Sequence, residues 1–164
     1  KPFFIPDELG TIEYEAEIVV RVCRLGKSIS ERFASRYYDA VTVGIDFTAR
    51  DLLRKLSQQG LPWDMSKSFD GAAALGEWVS KDKFLDIQRL RFHLDVNGET
   101  KQEGCTNDMI YKVDEIISYI SRFFTLKTGD LIYTGCPTSG FPVHINDRLE
   151  GYIEERKVLD LHCK

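Results

Sequence analysis

Three acidic residues, Glu15, Glu17 and Asp46, have the types and spacing to hold a cation. Glu15 and Glu17 are two apart in the alternating stretch 13–24, EYEAEIVVRVCR. On a strand their side chains leave the same face about 7 Å apart at the backbone, where two carboxylates repel. On an edge strand facing water that repulsion is screened and cheap, and an E-x-E pair then needs no ligand at all. Here the strand runs on into apolar IVVRV, and Asp46 closes a second apolar run containing Val41, Val43 and Ile45. Burying ionised carboxylates without a partner is costly or forces protonation. Three carboxylates with waters suit a hard ion, Mg²⁺ first, then Mn²⁺ or Ca²⁺, whereas zinc more often recruits His or Cys. Arg50 and Lys67 are the alternative neutralisers, one for each of two acids, but three acids outnumber two bases.

The elements that must position these groups are legible in outline. In the first segment Tyr14, Ala16, Ile18, Val20 and Val22 share one face and Glu15, Glu17 and Val19 the other, which is a strand. Ser30 is placed to cap a short helix through about residue 38, and AVTVGID is β-branched and apolar, suiting a strand covered on both faces. Thr48 and Asp51 have capping-box spacing at the start of ARDLLRKLSQQ, which Gly60 and Pro62 end. Residues 63–87 are loop-rich. Alternation at Leu90, Phe92, Leu94 and Val96 followed by Asn97-Gly98 predicts a hairpin over 89–103. DEIISYISRFF predicts an amphipathic helix, LIYTG a strand, and DRLEGYIEERKVLDLHC a closing strand pair. Strands outnumber helices and hairpins outnumber long crossovers, which predicts a mainly β (α+β) fold, a mixed β-sandwich or roll with a few peripheral helices.

The 164 residues suffice for one domain with a sizeable core. Net charge is −4, and the 22 Lys and Arg are scattered, so nothing points to a nucleic-acid partner. No apolar stretch approaches the length of a membrane span, and the first residues lack the order of a signal peptide. Cys23, Cys105, Cys136 and Cys163 stand alone, without C-x-x-C pairing, as expected of reduced thiols in a cytoplasmic protein.

Five ordered stretches, IEYEAEIVV, GIDFTARD, GLPWDMSKSFDG, VNGETKQEGCTNDMIYKVDEIISYISRFFTLKTGDLIYTGCP and GFPVHINDRLEG, resemble the C-terminal catalytic domain of the fumarylacetoacetate hydrolase (FAH) family. The resemblance covers nearly the whole chain. It is strongest to the small members that act as acylpyruvate hydrolases, oxaloacetate decarboxylases or tautomerases, and 2-hydroxyhepta-2,4-diene-1,7-dioate isomerases. It implies the family's β-sandwich roll, usually a homodimer, with metal ligands at Glu15, Glu17 and Asp46 for one Mg²⁺ or Mn²⁺. It also places Arg50 and Lys67 toward a keto-acid or dicarboxylic-acid substrate. The implied activity is C–C bond hydrolysis or decarboxylation through a metal-stabilised enolate. The alternatives are isomerisation of the 2-hydroxydiene-dioate type and a non-catalytic, metal-dependent dicarboxylate-binding homologue.

Departures from the family pattern fall on substrate contacts. Leu53 stands where relatives carry Gln, and Cys136 replaces the second Thr of a TGTP loop that helps to hold the substrate, exchanging a hydroxyl for a weakly hydrogen-bonding thiol. Cys136 is not expected to be a nucleophile, because no His is placed by motif to activate it. Hydrolytic relatives use a His and a Glu from an N-terminal lid, a segment that would precede Lys1. His93, His144 and His162 do not match that motif and read as surface histidines. Residues 1–164 are therefore expected to form one FAH-like catalytic domain without the lid.

Overall fold

In the computed structural model, which describes all 164 residues, the two apolar segments that end at the candidate ligands are the longest strands. Strand β1 (Ile12–Val22) buries alternate residues over its first half and every residue from Ala16 to Val20. Strand β2 (Tyr38–Ala49) is covered on both faces, as its β-branched run predicts. They pair antiparallel along nearly their full length. Three short strands extend this sheet, with β3 (Ala73–Leu75) and β4 (Val79–Ser80) on β2 and β7 (Leu131–Tyr133) on β1; β8 (Phe141–Pro142) also pairs with β1.

A second sheet has the order β10-β9-β5-β6, from β5 (Arg91–Val96), β6 (Glu99–Cys105), β9 (Arg148–Ile153) and β10 (Arg156–His162). The hairpin and closing pair read from the sequence are both present, and pairing between the named strands is antiparallel throughout. One core of 32 buried residues joins the sheets, with Ile18, Val43, Ile45 and Phe47 from the first meeting Leu94, Leu149 and Ile153 from the second. The fold is thus the predicted two-sheet β roll. Its helices, α1 (Glu31–Ala34), α2 (Arg50–Gln58) and α3 (Val113–Ile120), are short. No helix is long and apolar enough to cross a membrane.

Two local expectations are corrected. The helix after Ser30 ends at Ala34 rather than near residue 38, and the Ser30 side chain caps nothing; Tyr38 is already in β2. The Thr48/Asp51 capping box does not form, because Thr48 stays in the strand and α2 starts after Ala49 without a side-chain cap. The two side chains take distant partners instead. Thr48 Oγ1 donates to Glu15 Oε2 at 3.5 Å, and Asp51 Oδ2 accepts from the Thr11 amide at 2.9 Å.

Candidate metal and substrate site

The β1–β2 register creates the acidic cluster. Glu15 stands opposite Asp46, Glu17 opposite Gly44 and Glu13 opposite Thr48. Directly opposed residues carry their side chains to one face a few ångströms apart, which brings Asp46 to the E-x-E pair although 31 positions separate it from Glu15 in sequence. One carboxylate oxygen from each of Glu15, Glu17 and Asp46 lies within 4.8 Å of the others.

Two cations flank them. Lys67 follows a single 3-10 turn, Asp64–Ser66, in the loop that leads into β3, the strand paired with β2 at Asp46. Its Nζ donates to Glu15 Oε2 at 2.9 Å and to Asp46 Oδ2 at 2.8 Å. Arg50 opens α2 immediately after β2. Its Nε donates to Glu13 Oε2 at 2.6 Å and its Nη2 to Glu15 Oε1 at 3.0 Å. Arg50 thus neutralises Glu13 and Glu15 from the helix start. Glu13 was missed in the sequence. Its parity with Glu15 and Glu17 on one strand face was the available signal.

Burial and charge set the protonation of the cluster. Glu17 is only 5% exposed and pairs with no cation. Burial pushes its carboxyl up to about 7, with Asp46 and Glu15 adding to the rise against the opposing hydrogen bond from the Gly135 amide at 2.6 Å. Asp46 is also raised, because burial outweighs the pull of the Lys67 ammonium. Burial alone would lower Lys67, but its hydrogen bonds to Asp46 and Glu15 overcome this and hold it above the ordinary lysine value. Lys67 is therefore an ammonium at neutral pH.

The donor set fits a hard divalent ion. Oxygens sharing an octahedral ion at about 2.1 Å lie roughly 3–4 Å apart, inside the 4.8 Å that bounds this cluster. The four acids Glu13, Glu15, Glu17 and Asp46 face two cations, and the most buried of the four has neither of them as a partner.

The 134–139 loop closes the third side. Thr134 Oγ1 donates to the Ile18 carbonyl at 2.7 Å, and the next amide, Gly135, holds Glu17. Cys136 lies on this loop beside a cavity of about 470 Å³, lined among others by Phe92, Met109, Tyr111 and Pro137. Burial raises its thiol, which suits a binding-loop side chain better than a thiolate nucleophile. The histidines stay apart from the cluster. His93 stacks on Tyr152 with centroids 4.5 Å apart, and His144 and His162 lie near Asp147 and Asp160. His93 is thus half-buried rather than a plain surface residue.

A two-sheet β roll carrying a carboxylate cluster bridged by an ammonium has close relatives among enzymes of small keto acids. The family model described as fumarylacetoacetate (FAA) hydrolase C-terminal matches residues 1–162, and the chain belongs to that family. It is 38% identical over 153 residues to the mitochondrial oxaloacetate tautomerase FAHD1 of Mus musculus, spanning 93% of this chain and 69% of that protein. It is 35% identical over 150 residues to the oxaloacetate tautomerase YcgM of Escherichia coli, spanning 91% and 68%. The crystal structure of fumarylpyruvate hydrolase from Pseudomonas aeruginosa in complex with Mn²⁺ and pyruvate superposes with a TM-score of 0.92 at 31% identity, covering 99% of this chain and 70% of that one. The chain is accordingly a FAH-family enzyme, within a family whose members include tautomerases, hydrolases and isomerases.

Proposed function

We propose that the chain is a divalent-metal-dependent enzyme of small enolisable keto acids, and that keto–enol tautomerisation of a substrate such as oxaloacetate is the reaction its residues support best. The observation that carries this is the placement of the Lys67 ammonium 2.9 and 2.8 Å from Glu15 and Asp46 within a cluster whose third acid, Glu17, lacks a cation. Glu15, Glu17 and Asp46 would hold Mg²⁺ or Mn²⁺. An ion held there would draw electron density from the keto and carboxylate oxygens of the substrate and favour its enol form. Lys67 Nζ, kept as an ammonium, would stabilise the negative charge on the substrate oxygen in the enolate that both directions pass through, while a solvent water takes the proton from the adjacent carbon on the way to the enol and returns it on the way to the keto form. Arg50, with Nε and Nη2 committed to Glu13 and Glu15, would fix the orientation of Glu15 rather than grip a substrate carboxylate. The 134–139 loop would screen the site, and the cavity beside Cys136 would take the remainder of the substrate.

Tautomerisation is favoured over C–C hydrolysis because it moves one proton and needs no activated water. The mouse and Escherichia coli relatives, both oxaloacetate tautomerases, support the same choice. The test is the absorbance decay of enol-oxaloacetate with Mn²⁺-loaded protein, run beside an acylpyruvate and a 2-hydroxydiene-dioate. Acceleration of the oxaloacetate interconversion alone supports this reading, and cleavage of the acylpyruvate supports hydrolysis. No effect on any of the three removes the catalytic reading, and calorimetry with oxalate then tells a binder from a vestigial site.

A further inference from the structure

Gln102 is a polar side chain 1% exposed in the middle of β6, on the sheet opposite the acidic cluster. Its Oε1 accepts from the Ala16 amide at 2.9 Å. Ala16 lies between the two candidate ligands Glu15 and Glu17, at a gap in the sheet edge: β8 pairs with β1 at Glu13 and Tyr14, β7 pairs from Val19, and neither reaches Ala16. The other end of the amide, Nε2, lies 3.2 Å from Thr138 Oγ1, 3.1 Å from the Ser139 carbonyl and 3.4 Å from Cys136 Sγ. A buried primary amide accepting on one side and donating on the other has its direction fixed, since reversing it would set N–H against N–H at Ala16. The loop it fastens continues to Gly140, where an added Cβ would lie 2.9 Å from Glu13 Oε2 and 3.2 Å from Glu15 Cγ, so the loop packs directly on the acids.

We propose that Gln102 is a positioning residue, a strut that ties the Glu15–Glu17 backbone to the 136–139 loop so that carboxylate geometry and loop closure are set together. The proposal rests on the metal reading above and goes beyond it by assigning a distant core residue to the site. Gln102 touches neither the acids nor the candidate substrate space. It acts through Ala16 on one side and through the loop on the other. Residues that orient metal ligands from behind in this way typically change metal affinity about 10- to 100-fold when lost.

The test is Gln102→Met, which keeps the volume of the side chain and removes both hydrogen-bonding ends, in the full chain. Three quantities are measured beside wild type: Mn²⁺ affinity from the free-ion EPR signal, the thermal midpoint, and exchange of the Ala16 amide by NMR. The expected result is Mn²⁺ affinity at least about tenfold weaker in a folded protein, with Ala16 exchanging faster. A lower midpoint with wild-type Mn²⁺ affinity would mean that Gln102 only stabilises the core, and would overturn the proposal. If wild type itself takes up no Mn²⁺, the metal reading fails separately; the strut is then judged on Ala16 alone, and equal exchange in the two proteins overturns it. Should Gln102→Met not fold, Thr138→Ala removes one exposed acceptor of the same amide. It is expected to weaken oxalate binding to the Mn²⁺-loaded protein a few-fold, and unchanged oxalate affinity counts against the strut.

Discussion

Arg50 Nε donates to Glu13 Oε2 at 2.6 Å, joining the first residue of α2 to an acid of β1 that lies beyond the three candidate ligands. Both side chains are largely covered, at 22% and 15% exposure. The pair fixes the helix start against the strand, and Arg50 reaches Glu15 from there. Replacing Glu13 by Gln removes the charge and keeps the shape. After discounting for the remaining solvent contact, the loss is expected to be about 1 kcal/mol of unfolding free energy, read by urea denaturation. An unchanged midpoint would show that the pair contributes nothing to anchoring α2.

Glu15 accepts from Arg50 and Lys67 and faces Thr48, so an amide in its place can keep part of this network. Glu15→Gln is therefore expected to fold, as judged by circular dichroism, while losing Mn²⁺ binding in calorimetry. Wild-type Mn²⁺ affinity in this variant would show that the ligand assignment is wrong.

Lys67 has the opposite signature. Its ammonium occupies oxygens of Glu15 and Asp46, two of the three candidate ligands, and competes with a bound cation for their charge. Lys67→Met is expected to leave Mn²⁺ affinity equal or higher while slowing enol-oxaloacetate decay about 10²- to 10³-fold, the range for loss of a positioned donor that stabilises an oxyanion. Activity retained within a factor of two would remove Lys67 from the chemistry.

Much of this site can be read along the chain because strands repeat every two residues. Alternation set the face of β1, and the apolar run ending at Asp46 marked β2 as covered on both sides. The register could not be read the same way. The facing of Glu15 and Asp46 depends on pairing between distant segments, which local pattern does not encode. Thr48 and Asp51 show the same limit from the other side. Their spacing has the form of a cap, but tertiary partners at Glu15 and Thr11 take both side chains. Gln102 carried no local signal, since a Gln between Lys101 and Glu103 reads as solvated until the first sheet covers it.

Asp160 offers a pH test away from the cluster. Hydrogen bonds from Arg148, reinforced by Lys157, hold its carboxyl well below the ordinary aspartate range. A depressed folded-state value means the pairing adds stability above the unfolded pKa and loses it as pH falls through the folded one. The difference in thermal midpoint between wild type and Asp160→Asn is thus expected to be full at neutral pH and to shrink below about pH 4. Because the pair is partly exposed, added salt should shrink the difference as well. A difference constant from neutral pH to pH 2 would exclude this ion pair as its cause.

Gly44 is the cross-strand partner of Glu17, and its lack of a side chain has a structural cause. A Cβ there would lie 2.6 Å from Cγ2 of Val19, on the well-covered β1, and 2.7 Å from Cε1 of Tyr133 on β7. Tyr133 cannot swing away freely, since its hydroxyl donates to the Ala74 carbonyl at 2.9 Å. Gly44→Ala must therefore push β1 and β7 from β2 at the point where Glu17 is held. The expected cost is about 1–3 kcal/mol in denaturant unfolding, the usual range for overpacking. Because the displaced segment carries Glu17, Mn²⁺ affinity should fall in the same variant. Lost stability with unchanged Mn²⁺ affinity would mean that Glu17 lies outside the ion's ligands, and that its burial serves the Gly135 turn alone.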